Sequence, residues 1–301
     1  MECSTECMRC LFDHQYDRMQ KFTDSDKKKR FLCRVLSRLG RVTPEDTAPF
    51  LVSVFESYYE EIFGEKVSFT ETKRDFNQFV LQMVPDLRAR IWKASDPLKT
   101  ALVYARLGNY IDFGALKHVD KGAFLALFDN TETFSRDEKS YARFYHLCQT
   151  QKTFLLIADN CGEIVLDRLF VEVLKETFPH LSVTLMVKKH DALNDATRID
   201  AAEAGFSGLC QITDTGNGIP GADPAHLSAD ALNVLETSDV ILAKGQANFE
   251  TLSGRGYPAF YAFLCKCDYF SNRFGVEKFT GLFLDEKQIG PQIDRQFHVT
   301  P

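Results

Sequence analysis

Acidic and amide side chains follow two short apolar runs in the second half of this 301-residue chain. Residues 154–158 lead directly into Asp159 and Asn160, and residues 183–187 are followed by Asp195. Carboxylate and carbonyl oxygens are the ligands that hard divalent cations prefer, so these side chains could hold a metal ion. Each segment also stands at the entry to a helical pattern, where a helix cap is the alternative interpretation.

A lysine follows a third apolar run. Residues 240–243 lead into Lys244 and Gly245, which would offer a phosphoryl group a positive charge and an unobstructed backbone. The amides at the start of the helix predicted after Asp159 would favour the same anion. A solvated lysine is the alternative for this position.

Apolar runs alternate with helical patterns from residue 153 onward. The runs cover residues 154–158, 183–187, 209–212, 240–243 and about 260–264. Strands that alternate with helices predict right-handed crossovers and a mainly parallel sheet covered on both faces. Ligands of such sheets bind beyond the carboxyl ends of the strands. The three polar segments should therefore share one edge.

The first half of the chain has a different pattern. Apolar residues recur there at helical spacing, as in Phe31, Val35 and Leu39. We predict an α/β fold: an α/β/α sandwich with a mainly parallel sheet, plus an amino-terminal all-helical domain. Residues 1–150 would form the helical domain and residues 151–301 the metal- and phosphate-binding domain.

The composition argues against nucleic-acid-binding and membrane functions. A net charge of -6 argues against a broad basic surface for nucleic acid or an anionic membrane. No apolar run approaches the roughly 18 residues of a membrane span, and the first residues lack the layout of a signal peptide. We expect a cytoplasmic protein that acts on small molecules, while the oligomeric state stays open.

Nine cysteines are an odd number, which argues against a disulfide framework and for reduced thiols. Cys3, Cys7 and Cys10 form a C-x3-C-x2-C arrangement that could bind a metal or cycle between redox states. Cys265 and Cys267 could approach it in space. A structural or incidental role is the alternative.

Taken in order, four motifs resemble the damage-control phosphatases, first catalogued as domain of unknown function family 89. They are DPLKTALVYARLGNYIDFG in the helical half, DNCGE, NDAT with the downstream Asp200, and KGQANFE. The resemblance extends from the amino-terminal cysteines to about residue 285. It implies a helical domain packed on an α/β/α domain, with a divalent metal (Mn, Co, Ni or Mg) in the cleft. A paired cysteine in the prokaryote-rich branch of that family matches Cys7 and Cys10.

Carried onto this sequence, the resemblance implies a set of site residues. The metal ligands would be Asp159, Asn160 and Asp195, and Asp159 and Lys244 would be catalytic. The substrate pocket would include Glu163, Asn109, Asp112, Lys244, Gly245, Asn248 and Glu250. The metal would draw charge off the phosphorus while Lys244 and helix-start amides neutralise the other phosphate oxygens. The attacking group would be either a metal-activated water or the Asp159 carboxylate.

We therefore predict a metal-dependent phosphatase of small phosphorylated metabolites, such as sugar phosphates or damaged metabolites. One alternative is an S-adenosylmethionine-dependent carboxyl methyltransferase, an activity described for a eukaryotic branch of the family. The DNCGE turn, however, lacks the glycine-rich loop that lets such a cofactor lie against the backbone. The other alternative is a non-enzymatic module that binds a phosphorylated ligand without a metal.

Overall fold

The computed structural model describes residues 1–110, 128 and 137–289. Asp112, predicted to line the pocket, lies outside these ranges. The helices before the sheet are α1 (Thr5–Arg18), α2 (Ser25–Leu39), α3 (Ala48–Phe63), α4 (Thr70–Leu81), α5 (Val84–Lys93), α6 (Pro97–Leu107) and α7 (Glu138–Thr150). A short 3-10 turn, Gly108–Tyr110, continues α6.

Local sequence signals explain where these helices begin. The helices α1, α2, α3 and α6 have side-chain caps that accept a hydrogen bond from a first-turn amide, namely Ser4, Asp24, Thr47 and Asp96. The apolar stripe of α2 is buried at Phe31, Val35 and Leu39 in one cluster with α1 and α3. The predicted helical character of this half is confirmed.

The described residues form a six-stranded sheet of order β3-β2-β1-β4-β5-β6. Its strands are β1 (Thr153–Ile157), β2 (Ser182–Val187), β3 (Gln211–Asp214), β4 (Val240–Lys244), β5 (Ala259–Leu264) and β6 (Gly281–Asp285). The first five are parallel, and β6 runs antiparallel to β5. The predicted mainly parallel sheet is confirmed. The sequence pattern missed β6 and placed β3 two residues too early.

Helices cover the sheet between successive strands. They are α8 (Glu163–Thr177), α9 (Arg198–Ala204), α10 (Ala229–Thr237), α11 (Gln246–Leu252) and α12 (Asp268–Phe274). Strand β4 is buried throughout, as expected for a strand covered on both faces. The order reverses beside β1, because β1 pairs with β2 on one side and with β4 on the other. Ligands bind at such switch points in parallel sheets.

The amino-terminal helices reach this edge. Helices α4, α5 and α6 share a hydrophobic core with the sheet, in which Val80, Leu87 and Leu102 join Phe154 and Leu185. The chain after α6 passes close to α8, and a Cβ on Gly108 would lie 2.9 Å from Leu166 Cδ1. The helical layer therefore contributes side chains to the carboxyl edge, while the domain boundary near residue 150 stays a prediction. Across the described ranges, no helix is long and apolar enough to cross a membrane.

Candidate active site

Asp159 lies two residues beyond the last residue of β1 and is almost completely buried. Its Oδ2 accepts hydrogen bonds from Asn109 Nδ2 at 2.7 Å and from Asn160 Nδ2 at 2.8 Å. Both donors are amides, and both contact the same oxygen. The carboxylate is therefore oriented by neutral groups, one from the helical layer and one from its own turn.

The loop after β2 lies alongside this turn. Asn160 and Asp195 form an isolated antiparallel bridge, and Ala196 N donates to Asp159 O at 2.7 Å. Asp195 is also buried. Backbone hydrogen bonds thus bring the three predicted metal ligands together, although their segments are separated by a whole β-strand and helix.

Burial dominates the electrostatics of the two carboxylates. It raises the pKa of Asp159 well above 3.8, and the charges of Glu163 and Asp195 add to the rise. Burial also raises the pKa of Asp195 to about 6, against the opposing charge of Lys188. Lys266 is a further cation near Asp159, because its charge opposes the rise in the pKa of Asp159. Negative charge is concentrated at the centre of the site, with cations around it.

Lys188 directly follows β2 and has almost no exposed surface. Its ammonium donates to Gly221 O and lies 3.6 Å from Asp195 Oδ2. Burial lowers the pKa of Lys188, while the charges of Asp195 and Asp159 oppose that effect. Lys188 therefore supplies positive charge on the β2 side of the carboxylates.

Lys244, at the end of β4, is fully buried. Its ammonium contacts Glu163 Oε1 at 2.5 Å, Asp167 Oδ1 at 2.6 Å and Ala105 O at 2.9 Å. Although burial alone would lower it, the carboxylates of Asp167 and Glu163 raise the pKa of Lys244. All three donors of the ammonium are thus used inside the protein. A direct phosphate contact by Lys244 stays a prediction.

Glu163 links Lys244 to the carboxylate after β1. Its Oε2 accepts from Asn109 Nδ2 at 3.0 Å, and the same nitrogen donates to Asp159 Oδ2. Glu163 is fully buried and lies at the start of α8. Of the residues predicted to line the pocket, Glu163 and Asn109 therefore join the Asp159 network.

Gly245 packs against Asp159. It adopts a φ of +78°, and a Cβ at this position would overlap the Asp159 carboxylate. Only glycine combines this backbone conformation with so close an approach. Gly245 therefore leaves the space that the carboxylate occupies.

Asn248 and Glu250 lie farther along α11, behind this contact. Asn248 Nδ2 donates to Ala158 O and Lys244 O, which ties α11 to the ends of β1 and β4. Glu250 Oε1 accepts from Gln246 Nε2 at 2.9 Å, and burial raises the pKa of Glu250 to about 7. Contact of either side chain with substrate stays a prediction.

The amides at the start of α8 already have protein acceptors. Cys161 N donates to Asn194 O at 2.9 Å, and Gly162 N donates to Asn77 Oδ1 at 2.6 Å. These two amides bind loop and helix groups instead of facing an open anion site. The bonds fix the turn that carries Asp159.

The donor set fits a hard divalent cation. Asp195 Oδ2 is buried and accepts no hydrogen bond, and both donors to Asp159 contact its Oδ2, which leaves Oδ1 without a donor among the described residues. Oxygen ligands of this kind suit Mg²⁺ or Mn²⁺. Across the described ranges, no three His, Cys, Asp or Glu side chains form a metal-binding group alone. The predicted set therefore needs the amide oxygen of Asn160 as its third ligand.

Sequence reasoning assigned no role to three polar residues near the site, namely Asn77, Lys188 and Lys266. A usable signal existed for two of them, because Lys188 directly follows β2 and Lys266 comes two residues after β5. Strand ends at this edge were the criterion already applied to Asp159 and Lys244. Asn77 gives no such signal, because it lies within a helix, more than 80 residues before its partner Gly162 in the turn after β1.

All nine cysteines are free thiols in the structure. Cys3 is buried, Cys7 is half-buried and Cys10 is exposed. Gln246 Nε2 lies 3.8 Å from Cys267 Sγ, next to the start of α11. A metal or redox role for the amino-terminal cysteines stays a prediction.

Comparison with known proteins gives a consistent result over most of the chain. The family model for the damage-control phosphatase ARMT1-like domain matches residues 3–282. A damage-control phosphatase of Archaeoglobus fulgidus is 26% identical over 92% of this chain and 96% of its own length. A damage-control phosphatase of Pyrococcus horikoshii is 27% identical over 84% of this chain and 87% of its own.

One further relative and the crystal structure of the Pyrococcus protein extend the comparison. An uncharacterised protein of Methanocaldococcus jannaschii is 26% identical over 90% of this chain and 91% of its own length. The crystal structure of a DUF89 family protein from Pyrococcus horikoshii superposes with a TM-score of 0.75 at 25% identity. That superposition covers 95% of this chain and 99% of the other.

Proposed function

The chain belongs to the damage-control phosphatase ARMT1-like family, and from this premise we propose that it is a metal-dependent phosphatase of small phosphorylated metabolites. The names of its Archaeoglobus and Pyrococcus relatives support phosphatase activity. The proposal adds a divalent metal, Mn, Co, Ni or Mg, and a substrate class that includes sugar phosphates and damaged phospho-metabolites.

The proposal of a metal is supported mainly by the arrangement of two carboxylates. Two buried carboxylates, Asp159 and Asp195, converge from neighbouring strands. In the described part of the chain Asp195 Oδ2 has no hydrogen-bond donor, and the two amides that bind Asp159 both contact its Oδ2. Burial and mutual repulsion raise the pKa of Asp159, as expected where a cation is needed to balance the charge. Asp159, Asn160 and Asp195 would hold the metal, which when bound would polarise a phosphate oxygen.

The protein groups around the metal have separate tasks. Asn109 and Asn160 both donate to Oδ2 of Asp159, which leaves Oδ1 as the proposed metal ligand. Lys188 holds positive charge beside Asp195. Such preorganised groups stabilise charge without reorganising during the reaction. Asp159 acts here as a metal ligand.

Lys266 is the phosphate-facing cation in this proposal, and Lys244 supports the site from beneath. Lys266 is half-buried at the carboxyl edge, and its charge acts on Asp159. Lys244 is fully buried, and its three donors are bonded to protein groups. A lysine ammonium beside the metal ligands can contact a phosphate as a point charge.

The turn between β1 and α8 does not favour the methyltransferase alternative. The amides of Cys161 and Gly162, where a cofactor would lie against the backbone, donate to Asn194 O and Asn77 Oδ1. A cofactor would have to displace both bonds.

The decisive experiment combines metal binding with turnover. Calorimetry with Mn²⁺ and a phosphate-release screen over sugar phosphates, with Mn²⁺, Co²⁺, Ni²⁺ or Mg²⁺ added, are run on the wild type and on Asp159→Ala. We expect the variant to lose both bound metal and turnover while it stays folded, since burial and the charges of Glu163 and Asp195 disfavour the Asp159 carboxylate in the metal-free protein.

Asp214→Ala is the matched control. Asp214 ends β3 at the same edge, but it pairs with Arg198 at 2.6 Å and takes no part in the network around Asp159. This variant should keep metal binding and turnover. An active Asp159→Ala, or a wild type that binds sugar phosphates equally well after chelation without any turnover, would refute the proposal.

A further inference from the structure

Asn77 lies on α4 in the helical layer, is fully buried, and bonds through its side chain to the turn after β1 and to α9. Its Oδ1 accepts from Gly162 N at 2.6 Å. Its Nδ2 donates to Asp200 Oδ1 at 2.9 Å and to Glu203 Oε2 at 3.2 Å. A single side chain thus joins the turn after β1 to the helix that follows the loop after β2.

The bond to Gly162 holds the first of these segments. Gly162 has a φ of +73° and directly precedes α8, two residues after Asn160. Its amide meets an acceptor at 2.6 Å from a different helix. This hydrogen bond therefore fixes the position of the turn relative to α4.

The bond to Asp200 holds the second segment. Asp200 Oδ2 accepts from Thr197 N and Thr197 Oγ1, both at 2.8 Å, which caps α9 two residues after Asp195. Lys73, one turn before Asn77 on α4, lies 2.7 Å from the same oxygen. Oδ1 of Asp200 is left for Asn77. The end of the loop that carries Asp195 is thus held in place by contacts with α4.

We propose that Asn77 is a positioning residue, which fixes the Asp159 turn and the Asp195 loop relative to each other and so sets the separation of the two carboxylates. This inference rests on the proposed metal-dependent function. It gives the helical layer a defined part in the site beyond that of a pocket wall. Groups that orient metal ligands typically change metal affinity by about 10- to 100-fold when they are removed.

A purely structural role would leave a different pattern. The packing of α4 onto the sheet layer is carried by apolar side chains such as Val80, which belongs to the common core. A buried amide adds stability only through its hydrogen bonds, and here they reach the turn after β1 and the first turn of α9, which follows the Asp195 loop. Loss of Asn77 should therefore change the loops more than the rest of the fold.

The control is an ion pair between the same layers. Arg88 on α5 makes a bidentate contact with Glu172 on α8, at 3.0 to 3.1 Å, away from the site loops. Arg88→Ala removes polar contacts between the helical layer and α8 without touching either loop. It reports what general loosening of that interface does.

The test compares the wild type, Asn77→Ala, Asn77→Ser and Arg88→Ala as metal-free full-length proteins and with Mn²⁺. Hydrogen exchange of residues 159–166 and 193–200 is measured without metal, Mn²⁺ affinity by calorimetry, and kcat and KM with p-nitrophenyl phosphate. We expect both Asn77 variants to exchange faster in both segments and to bind Mn²⁺ about 10- to 100-fold more weakly. At saturating Mn²⁺, kcat should fall while KM changes little.

A rescue variant keeps the inference testable if the single variants fold poorly. Asn77→Asp combined with Asp200→Asn and Glu203→Gln exchanges donor and acceptor at all three positions, while an oxygen remains at residue 77 for Gly162 N. Exchange protection and Mn²⁺ affinity should return toward the wild type in this triple variant.

The outcomes separate the two proposals. Equal exchange in wild type and Asn77→Ala, or equal loosening of both segments in Arg88→Ala, overturns the positioning role whatever the metal result. A wild type that binds no divalent metal refutes the proposed function, while faster exchange in both loops of Asn77→Ala alone still supports the coupling of the loops.

Discussion

The ammonium of Lys244 lies 2.5 Å from Oε1 of Glu163, and neither side chain has exposed surface. Oε2 of Glu163 accepts from Asn109, which in turn donates to Asp159. A cation at the end of β4 is thereby connected, through one carboxylate and one amide, to the first predicted metal ligand. The site is built on this buried network as well as on the residues that would contact a ligand.

Replacing Lys244 should lower stability as well as activity. Lys244→Met leaves Glu163 and Asp167 buried without their cation, and loss of one partner of a buried pair costs about 3–5 kcal/mol. Urea unfolding of the metal-free protein measures this change. Lys189→Met is the control, because Lys189 is half-exposed and its pairing with Asp214 contributes less than about 1 kcal/mol. An inactive Lys244→Met of wild-type stability would instead favour the direct phosphate contact.

Replacing Lys266 should lower activity with a smaller loss of stability. Because the proposal places Lys266 against the phosphate, Lys266→Ala should reduce kcat/KM by about 100-fold, as removal of a charge-stabilising donor does elsewhere. Its melting temperature should fall less than that of Lys244→Met, because Lys266 is half-buried whereas Lys244 is fully buried. Lys278→Ala, at an exposed ion pair with Asp268, should change neither quantity. Wild-type kinetics in Lys266→Ala would contradict the assignment.

Two glycines with nearly the same positive φ allow a steric test. A Cβ on Gly245 (φ +78°) would overlap the Asp159 carboxylate, whereas a Cβ on Gly254 (φ +79°) would meet nothing within 4 Å. Both alanine variants carry backbone strain from the positive φ. Only Gly245→Ala should displace Asp159 and abolish Mn²⁺ binding in calorimetry. Equal Mn²⁺ affinity in the two variants would show that Asp159 tolerates displacement.

Glu250 should make stability depend on pH. Burial raises its pKa from 4.5 to about 7, so the folded state holds this proton more tightly than the unfolded chain. The resulting stability is fully present below about pH 4.5 and is lost as the pH rises through about 7. Glu250→Gln removes this loss.

The measurement for Glu250 is urea unfolding of both proteins across that range. Relative to the wild type, Glu250→Gln should gain up to about 3 kcal/mol between about pH 5 and pH 8. The comparison cancels groups that titrate in both proteins. Parallel stability curves would show that Glu250 does not titrate in this window.

Local sequence patterns determined the secondary structure and much of the site. Alternating apolar runs and helices predicted the parallel sheet, because strand and helix periodicity are properties of neighbouring residues. The same patterns placed Asp159, Asn160 and Lys244 at the carboxyl edge, since parallel strands end on one side. They missed β6, which pairs antiparallel with β5 and is the last strand on that side of the sheet.

The roles of individual side chains at that edge depended on tertiary contacts. In the sequence, Lys244 is compatible with phosphate binding, because it is a lysine that follows an apolar run. Only the fold shows that Glu163 and Asp167, from one helix, contact its ammonium. Likewise, Asn77 is an ordinary helical residue in the sequence and becomes a link between two loops through contacts more than 80 residues away. Sequence determines which groups are available, whereas burial and long-range hydrogen bonds decide which of their donors and charges remain for chemistry.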